Sequence, residues 1–245
     1  PRDFWTQEID IDLPQIVRLE RPAGGKAALN AAAKILSEAD FPVLLNGAGV
    51  VIGGAIAASA ALAEKLTAPV CCGYQHNDAF PGSHPLSVGP LGYNGSKAAM
   101  ELIAKADVVL ALGTRLNPFS TLPGYGIDYW PQDAKVIQVD INSDRIGLTK
   151  KVTVGIQGDA KSVAEQLIEL LPDSAGDHGR EERSALISET KSRWLQQLSS
   201  MDHEDDDPGT TWNERARKRE PDRMSPRMAW RAIQSALPTE AIISS

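Results

Sequence analysis

A short apolar run that stops at an asparagine and turns through glycines into an alanine-rich stretch leaves a chain few options. Pro42-Val43-Leu44-Leu45-Asn46 leads through Gly47-Ala48-Gly49-Val50-Val51-Ile52-Gly53-Gly54 into Ala55-Ile56-Ala57-Ala58-Ser59-Ala60-Ala61-Leu62. The run suits a strand buried on both faces, and the alanines suit a helix packed against it. Glycine between them permits positive φ and leaves room for another group to approach the amides at the helix start. A lone Gly-x-Gly has two readings: a phosphate-binding turn, or a turn whose glycines only permit tight packing.

The unit recurs downstream. Residues 24–40 place Ala28, Leu29, Ala32, Ile35 and Leu36 at helical spacing ahead of Pro42. A helix over 54–67 precedes a second strand, Ala68-Pro69-Val70-Cys71-Cys72, and a loop rich in glycine, proline and histidine runs on to Tyr93. A helix over 95–106 leads to a third strand ending at Gly113, and a second long loop over 114–133 holds Tyr125, Tyr129 and Trp130. Lys135-Val136-Ile137-Gln138-Val139-Asp140 is a fourth strand and Val152-Thr153-Val154-Gly155-Ile156 a fifth; a helix over 159–171 follows, with Asp159 placed to cap it. Long loops without secondary structure of their own are more often functional than merely connecting.

Alternating strands and helices predict an α/β fold, a doubly wound parallel sheet in a Rossmann-like domain over residues 23–172. The strand ends Asn46-Gly47, Cys72-Gly73, Gly113-Thr114 and Asp140 then share the carboxyl edge, where open α/β sheets bind ligands.

The flanks read differently. Residues 1–22 scatter Phe4, Trp5, Ile9, Ile11, Leu13 and Ile16 among prolines and acids, as an extended connector from a preceding domain. Residues 173–223 form a helical linker: a glycine-containing turn, a helix over 181–200, then a charged loop. Over 224–245, Ser225-Pro226 opens another helix, which leads to the apolar run Ala241-Ile242-Ile243, the start of a further domain. The chain is therefore expected to be a segment of a longer polypeptide.

A net charge of −7 argues against nucleic acid as the main partner. No stretch approaches the roughly 20 apolar residues of a membrane span. Adjacent Cys71 and Cys72 suit neither a disulfide framework nor zinc spacing, and the expected compartment is the cytoplasm.

An NAD site calls for an acid about 20 residues beyond the glycine turn, at the end of the second strand. That strand ends in Cys71-Cys72-Gly73-Tyr74, so ordinary NAD chemistry is disfavoured. Asp140 suits either a ribose or a cap on the turn Asn142-Ser143-Asp144, and Arg115 suits either a phosphate or, more simply, a neighbouring acid. His76, His84, His178 and His203 have no metal-ligand spacing, and His84, between Ser83 and Pro85, reads as a loop-stabilising side chain. No general acid, base and nucleophile come together, so no catalytic or metal-ligating residue is expected in the chain.

Three stretches carry a family resemblance: Phe80-Pro81-Gly82-Ser83-His84-Pro85-Leu86-Ser87-Val88-Gly89-Pro90-Leu91-Gly92-Tyr93-Asn94-Gly95, the run Pro42 through Val50, and Leu112-Gly113-Thr114-Arg115. The chain resembles the central, DHS-like domain of thiamine-diphosphate-dependent enzymes of the acetolactate synthase group. Pro1-Arg2-Asp3-Phe4-Trp5-Thr6, the string from Gly89 to Gly95 and Met224-Ser225-Pro226-Arg227-Met228-Ala229-Trp230 are most similar to members that cleave sulfoacetaldehyde, releasing sulfite and passing the acetyl group to phosphate.

The resemblance implies thiamine diphosphate and magnesium in the whole enzyme, with the activating glutamate in the first domain and a Gly-Asp-Gly metal motif in the third. Neither is in this chain; Gln157-Gly158-Asp159-Ala160 lacks the second glycine. The implied partners are the flanking domains, a further subunit in a homodimer or homotetramer, and a small-molecule substrate, with the isolated chain inactive. Some relatives hold FAD or ADP centrally; the matching positions are Gly47, Gly49, Gly73, Gly92, Gly113, Arg115, Asp140 and Asp159. Tyr93-Asn94 and Leu116-Asn117-Pro118 depart from the FAD pattern, leaving an empty or ADP-type site open. An acetolactate-synthase-like enzyme and a free-standing FAD- or ADP-binding module remain alternatives.

Overall fold

The computed structural model describes residues 20–200 and 226–238, together with residues 6, 8, 12, 15 and 241. Six strands form one all-parallel sheet: β1 (Pro42–Asn46), β2 (Val70–Gly73), β3 (Ser87–Leu91), β4 (Val108–Leu112), β5 (Lys135–Asp140) and β6 (Val154–Gln157). Their order is β3-β2-β1-β4-β5-β6, so the two halves of the sheet diverge between β1 and β4.

Helices cover both faces, which is why β1 and β4 are buried along their whole length. On one face, α1 (Lys26–Ser37), α3 (Ile56–Leu66) and α5 (Ala160–Leu170) bring Leu29, Leu62 and Leu167 against Leu44, Leu110 and Ile137. On the other, α4 (Lys97–Ile103) and α6 (Arg180–Ser200) bring Met100, Ile103 and Ile187 against Val43, Leu45 and Val109. Successive β1 residues alternate between the two cores, as the period of a strand requires. A single short helix, α2 (Ala48–Ile52), leaves β1, and α7 (Pro226–Ala236) lies beyond α6 with Trp230 and Ile233 exposed. Among the described residues, no helix is long and apolar enough to cross a membrane.

The doubly wound expectation holds, with corrections. The loop expected to run to Tyr93 contains a sixth strand, β3. Its Gly89 (φ +92°) and Pro90 hide it from propensity, and its place at the sheet edge is where proline is tolerated. The helix expected over 54–67 is α3, while the glycine turn expected before it holds a further short helix, α2, which Gly53 and Gly54 separate from α3. The fifth expected strand starts two residues later, at Val154. The charged loop within 201–225, most of the 1–22 connector and the apolar run after Ala241 lie outside the described residues.

Arg183 fastens α6 to the sheet domain. Its side chain, with the residue only 3% exposed, donates to the carbonyls of Asp40 (3.0 Å), Leu66 (3.2 Å) and Thr67 (3.4 Å), and to those of Gly176 and His178. Burial lowers its pKa, yet five carbonyl acceptors keep the guanidinium satisfied without a carboxylate.

Candidate functional site

A cleft of about 540 Å³ opens at the carboxyl edge, where the turns after β1, β2, β4 and β5 meet the start of α5. Seven of the eight residues expected at a site line it: Gly47, Gly49, Gly73, Gly113, Arg115, Asp140 and Asp159.

The glycines make its floor. The Gly47 amide donates to the Leu112 carbonyl at 3.0 Å, and the Gly49 amide donates to the Gly113 carbonyl at 2.8 Å. A Cβ on Gly49 would lie 2.7 Å from the Gly113 Cα, and Gly113 has φ +60°. The turn after β1 and the turn after β4 therefore touch backbone to backbone. These amides are already bonded within the fold, so of the two readings of Gly-x-Gly the packing role accounts for both glycines.

Gly92 is the exception. It has φ +83°, and the Phe119 and Ser120 backbone fills the space a Cβ would need. Tyr93 donates its amide to the Phe119 carbonyl at 3.1 Å, so Gly92 joins the two long loops and does not line the cleft.

The charged residues divide by what they already hold. Asp159 caps α5, accepting from the Lys161 and Ser162 amides at 3.1 Å each, and its other oxygen pairs with Arg21 at 3.3 Å. Arg21 also donates to the Gly53 carbonyl. Asp140 accepts from the Asn142 amide at 2.9 Å, so the turn-capping reading holds while the residue also lines the cleft. Arg115 was expected, on the simpler reading, to hold a neighbouring acid; among the described residues its guanidinium has no ion-pair partner, and it borders the cleft instead.

Sequence reasoning missed Arg21, Arg145, Ile52 and Ile141, which also line the cleft. Ile52 (80% exposed) and Ile141 (59%) present apolar surface at its mouth. Ile141 stands one residue past the end of β5, and that position at the carboxyl edge is the signal that finds it; Ile52, at the end of α2, carries no such mark.

His76 also lines the cleft, while His84 and the two cysteines are structural. The His84 Nδ1 accepts from the Leu86 amide at 3.1 Å, so Nε2 carries the proton and donates to Glu64 at 3.0 Å, with the ring edge-on to Phe80. Cys71 and Cys72 are free and buried in opposite cores of the sheet. Burial, and then the charge of Asp78, pushes the Cys72 thiol up to about 12, so neither thiol is a ready nucleophile. Among the described residues, no group of three or more His, Cys, Asp or Glu could hold a metal ion.

Comparison with known proteins matches residues 29–167 to the family thiamine pyrophosphate enzyme, central domain. Over 245 residues the chain is 79% identical to "Probable sulfoacetaldehyde acetyltransferase" of Rhizobium meliloti, with 100% of this chain and 42% of the relative covered. It is 75% identical over 245 residues to "Sulfoacetaldehyde acetyltransferase" of Roseovarius nubinhibens, with 100% of this chain and 41% of the relative covered. "Probable acetolactate synthase large subunit" of Methanocaldococcus jannaschii is 34% identical over 208 residues, covering 82% of this chain and 33% of the relative. The chain thus spans about two fifths of the length of the sulfoacetaldehyde acetyltransferases it matches.

Proposed function

Because this chain belongs to the thiamine pyrophosphate enzyme central-domain family, we propose that it is the central part of a thiamine-diphosphate-dependent sulfoacetaldehyde acetyltransferase of the cytoplasm. The whole enzyme converts sulfoacetaldehyde and phosphate to acetyl phosphate and sulfite, with thiamine diphosphate and magnesium held by its other domains. The observation that carries this reading is identity of 79% and 75% along every residue, against 34% to the acetolactate synthase relative.

In this reading residues 23–172 are the central domain, 1–22 and 173–223 connect it to its neighbours, and 224–245 begin the next domain. The chain's own work is positional. Arg183 holds α6 to the sheet, and Arg21 holds the approach to α1 against Asp159, so both connectors leave from fixed points. The cleft at the carboxyl edge, with Gly47, Gly49, Gly73 and Gly113 forming its floor and Arg115, Asp140 and Asp159 its polar lining, receives an ADP-type nucleotide in preference to FAD. Two features support this: the departures from the FAD pattern at Tyr93-Asn94 and Leu116-Asn117-Pro118, and a Gly92 turned away from the cleft.

The test is turnover. The full-length polypeptide containing this chain, given thiamine diphosphate, magnesium, sulfoacetaldehyde and phosphate, is expected to release sulfite and acetyl phosphate. The 245-residue chain alone is expected to release neither. Acetolactate from pyruvate with no sulfite from sulfoacetaldehyde would overturn the assignment, and so would turnover by the 245-residue chain.

A further inference from the structure

Two guanidiniums without partners face one cleft, and a buried glutamine fixes the turns that carry them. Arg115 and Arg145 both line the cleft, and neither side chain has a hydrogen-bond or ion-pair partner among the described residues. Gln138 of β5 is 1% exposed. Its Nε2 donates to the carbonyls of Thr114 and Arg145 at 3.1 Å each, and its Oε1 accepts from the Gly147 amide at 2.8 Å. One side chain therefore ties the turn after β4 to the turn after β5. Both hydrogens of its amide group are used, so this link has no slack to give.

The charge balance of the cleft is opposite to that of the chain. The chain carries a net −7. The acids that line the cleft are Asp140 and Asp159, and Arg21 already neutralises Asp159. Two unpaired cations then stand against one aspartate. The cations stand on different turns, one after β4 and one after β5, whose strands are neighbours in the sheet. Arg115 follows β4, next to the switch point where a diphosphate is held in folds of this topology. Arg145 follows β5 and the strand-end Asp140.

A strand-end carboxylate suits a ribose hydroxyl, and an arginine beside it suits a phosphate carried on that ribose. We propose that the cleft takes an adenine nucleotide bearing a phosphate on its ribose in addition to its 5′-diphosphate. Arg115 meets the diphosphate and Arg145 meets the ribose phosphate, while Gln138 is the positioning residue that sets their separation. The inference rests on the reading of the cleft as a nucleotide site. A 2′-phosphate, as in NADP, and a 3′-phosphate, as in coenzyme A, share this chemistry.

Matched pairs isolate the one group in question. The 245-residue chain is titrated calorimetrically with coenzyme A and dephospho-coenzyme A, with NADP+ and NAD+, and with ADP. In one pair the phosphorylated member is expected to bind about tenfold more tightly or better, the value of one charge-assisted contact. The pair that shows the preference names the source. Arg145→Ala brings the ratio within that pair to near one, Arg145→Lys keeps part of it, and Arg115→Ala weakens both members. Circular dichroism of each variant separates these effects from unfolding. Equal affinities within both pairs overturn the ribose-phosphate assignment and leave the nucleotide reading standing. No binding of any of the five ligands overturns both.

Discussion

The Arg183 Nη2 donates to the Leu66 carbonyl at 3.2 Å, joining α6 to the end of α3 across 117 positions of chain. The acceptor sits at a helix C-terminus, where free carbonyls favour a cation. Arg183→Met keeps most of the aliphatic stem and leaves five carbonyls without their donor. A loss of about 3 kcal/mol is expected in urea unfolding. Arg183→Lys is expected to fall between, since an ammonium has three donors. Equal stability of Arg183→Met and the native chain would show that α6 is held by packing alone.

Gly113 has φ +60°, and an added Cβ would lie 2.7 Å from the Gly49 Cα and 2.8 Å from the Val50 amide nitrogen. Both obstacles are backbone and neither can swing aside. Gly113→Ala is expected to lose at least ~2 kcal/mol. Gly54→Ala is the comparison, with positive φ but open space at Cβ, and a loss of about 1 kcal/mol. Thermal denaturation of the two variants side by side reads the difference; equal losses would remove the close-contact explanation.

Burial and Asp78 raise the Cys72 thiol from 9.0 to about 12, and burial followed by the charge of Cys72 raises Cys71 as well. Unfolded thiols release their protons near pH 9, while the folded chain retains them. Their contribution to stability is therefore complete below about pH 9 and is lost as pH rises towards 12. Urea midpoints taken from pH 8 to 11 are expected to fall, and to fall less steeply for Cys72→Ala. A thiol-specific disulfide reagent is expected to leave both cysteines untouched at pH 8 until urea is added.

Asp159 caps α5 through one oxygen and pairs with Arg21 through the other. Arg21 is half-exposed, so the pair is expected to contribute less than the cap. Asp159→Ala should cost about 1–2 kcal/mol and Asp159→Asn, which can still cap, well under 1. Chemical denaturation of the two variants distinguishes them. Similar losses in both would assign the effect to the ion pair.

The sheet was legible where strands are apolar along their whole length. β1, β4 and β5 lie within a residue of their expected limits, because burial on both faces forces continuous apolar runs. β3 was not legible, since Gly89 and Pro90 suit its edge position and its close approach to Ser96, and neither favours a strand by propensity. The Asp159 cap was legible because a capping side chain acts within three residues of itself. Arg145 and Gln138 were not, because their meaning depends on which strand ends the topology makes neighbours. Gly92 misled for the same reason: its partner, the Phe119 backbone, belongs to a different loop.

The paired bonds from Gly47 to Leu112 and from Gly49 to Gly113 have a kinetic meaning. They clamp the two turns that would have to part for the floor of the cleft to move, so opening that floor would break two backbone hydrogen bonds together. On the proposed reading, any slow rearrangement that accompanies nucleotide binding would then lie in the walls of the cleft and not in its floor.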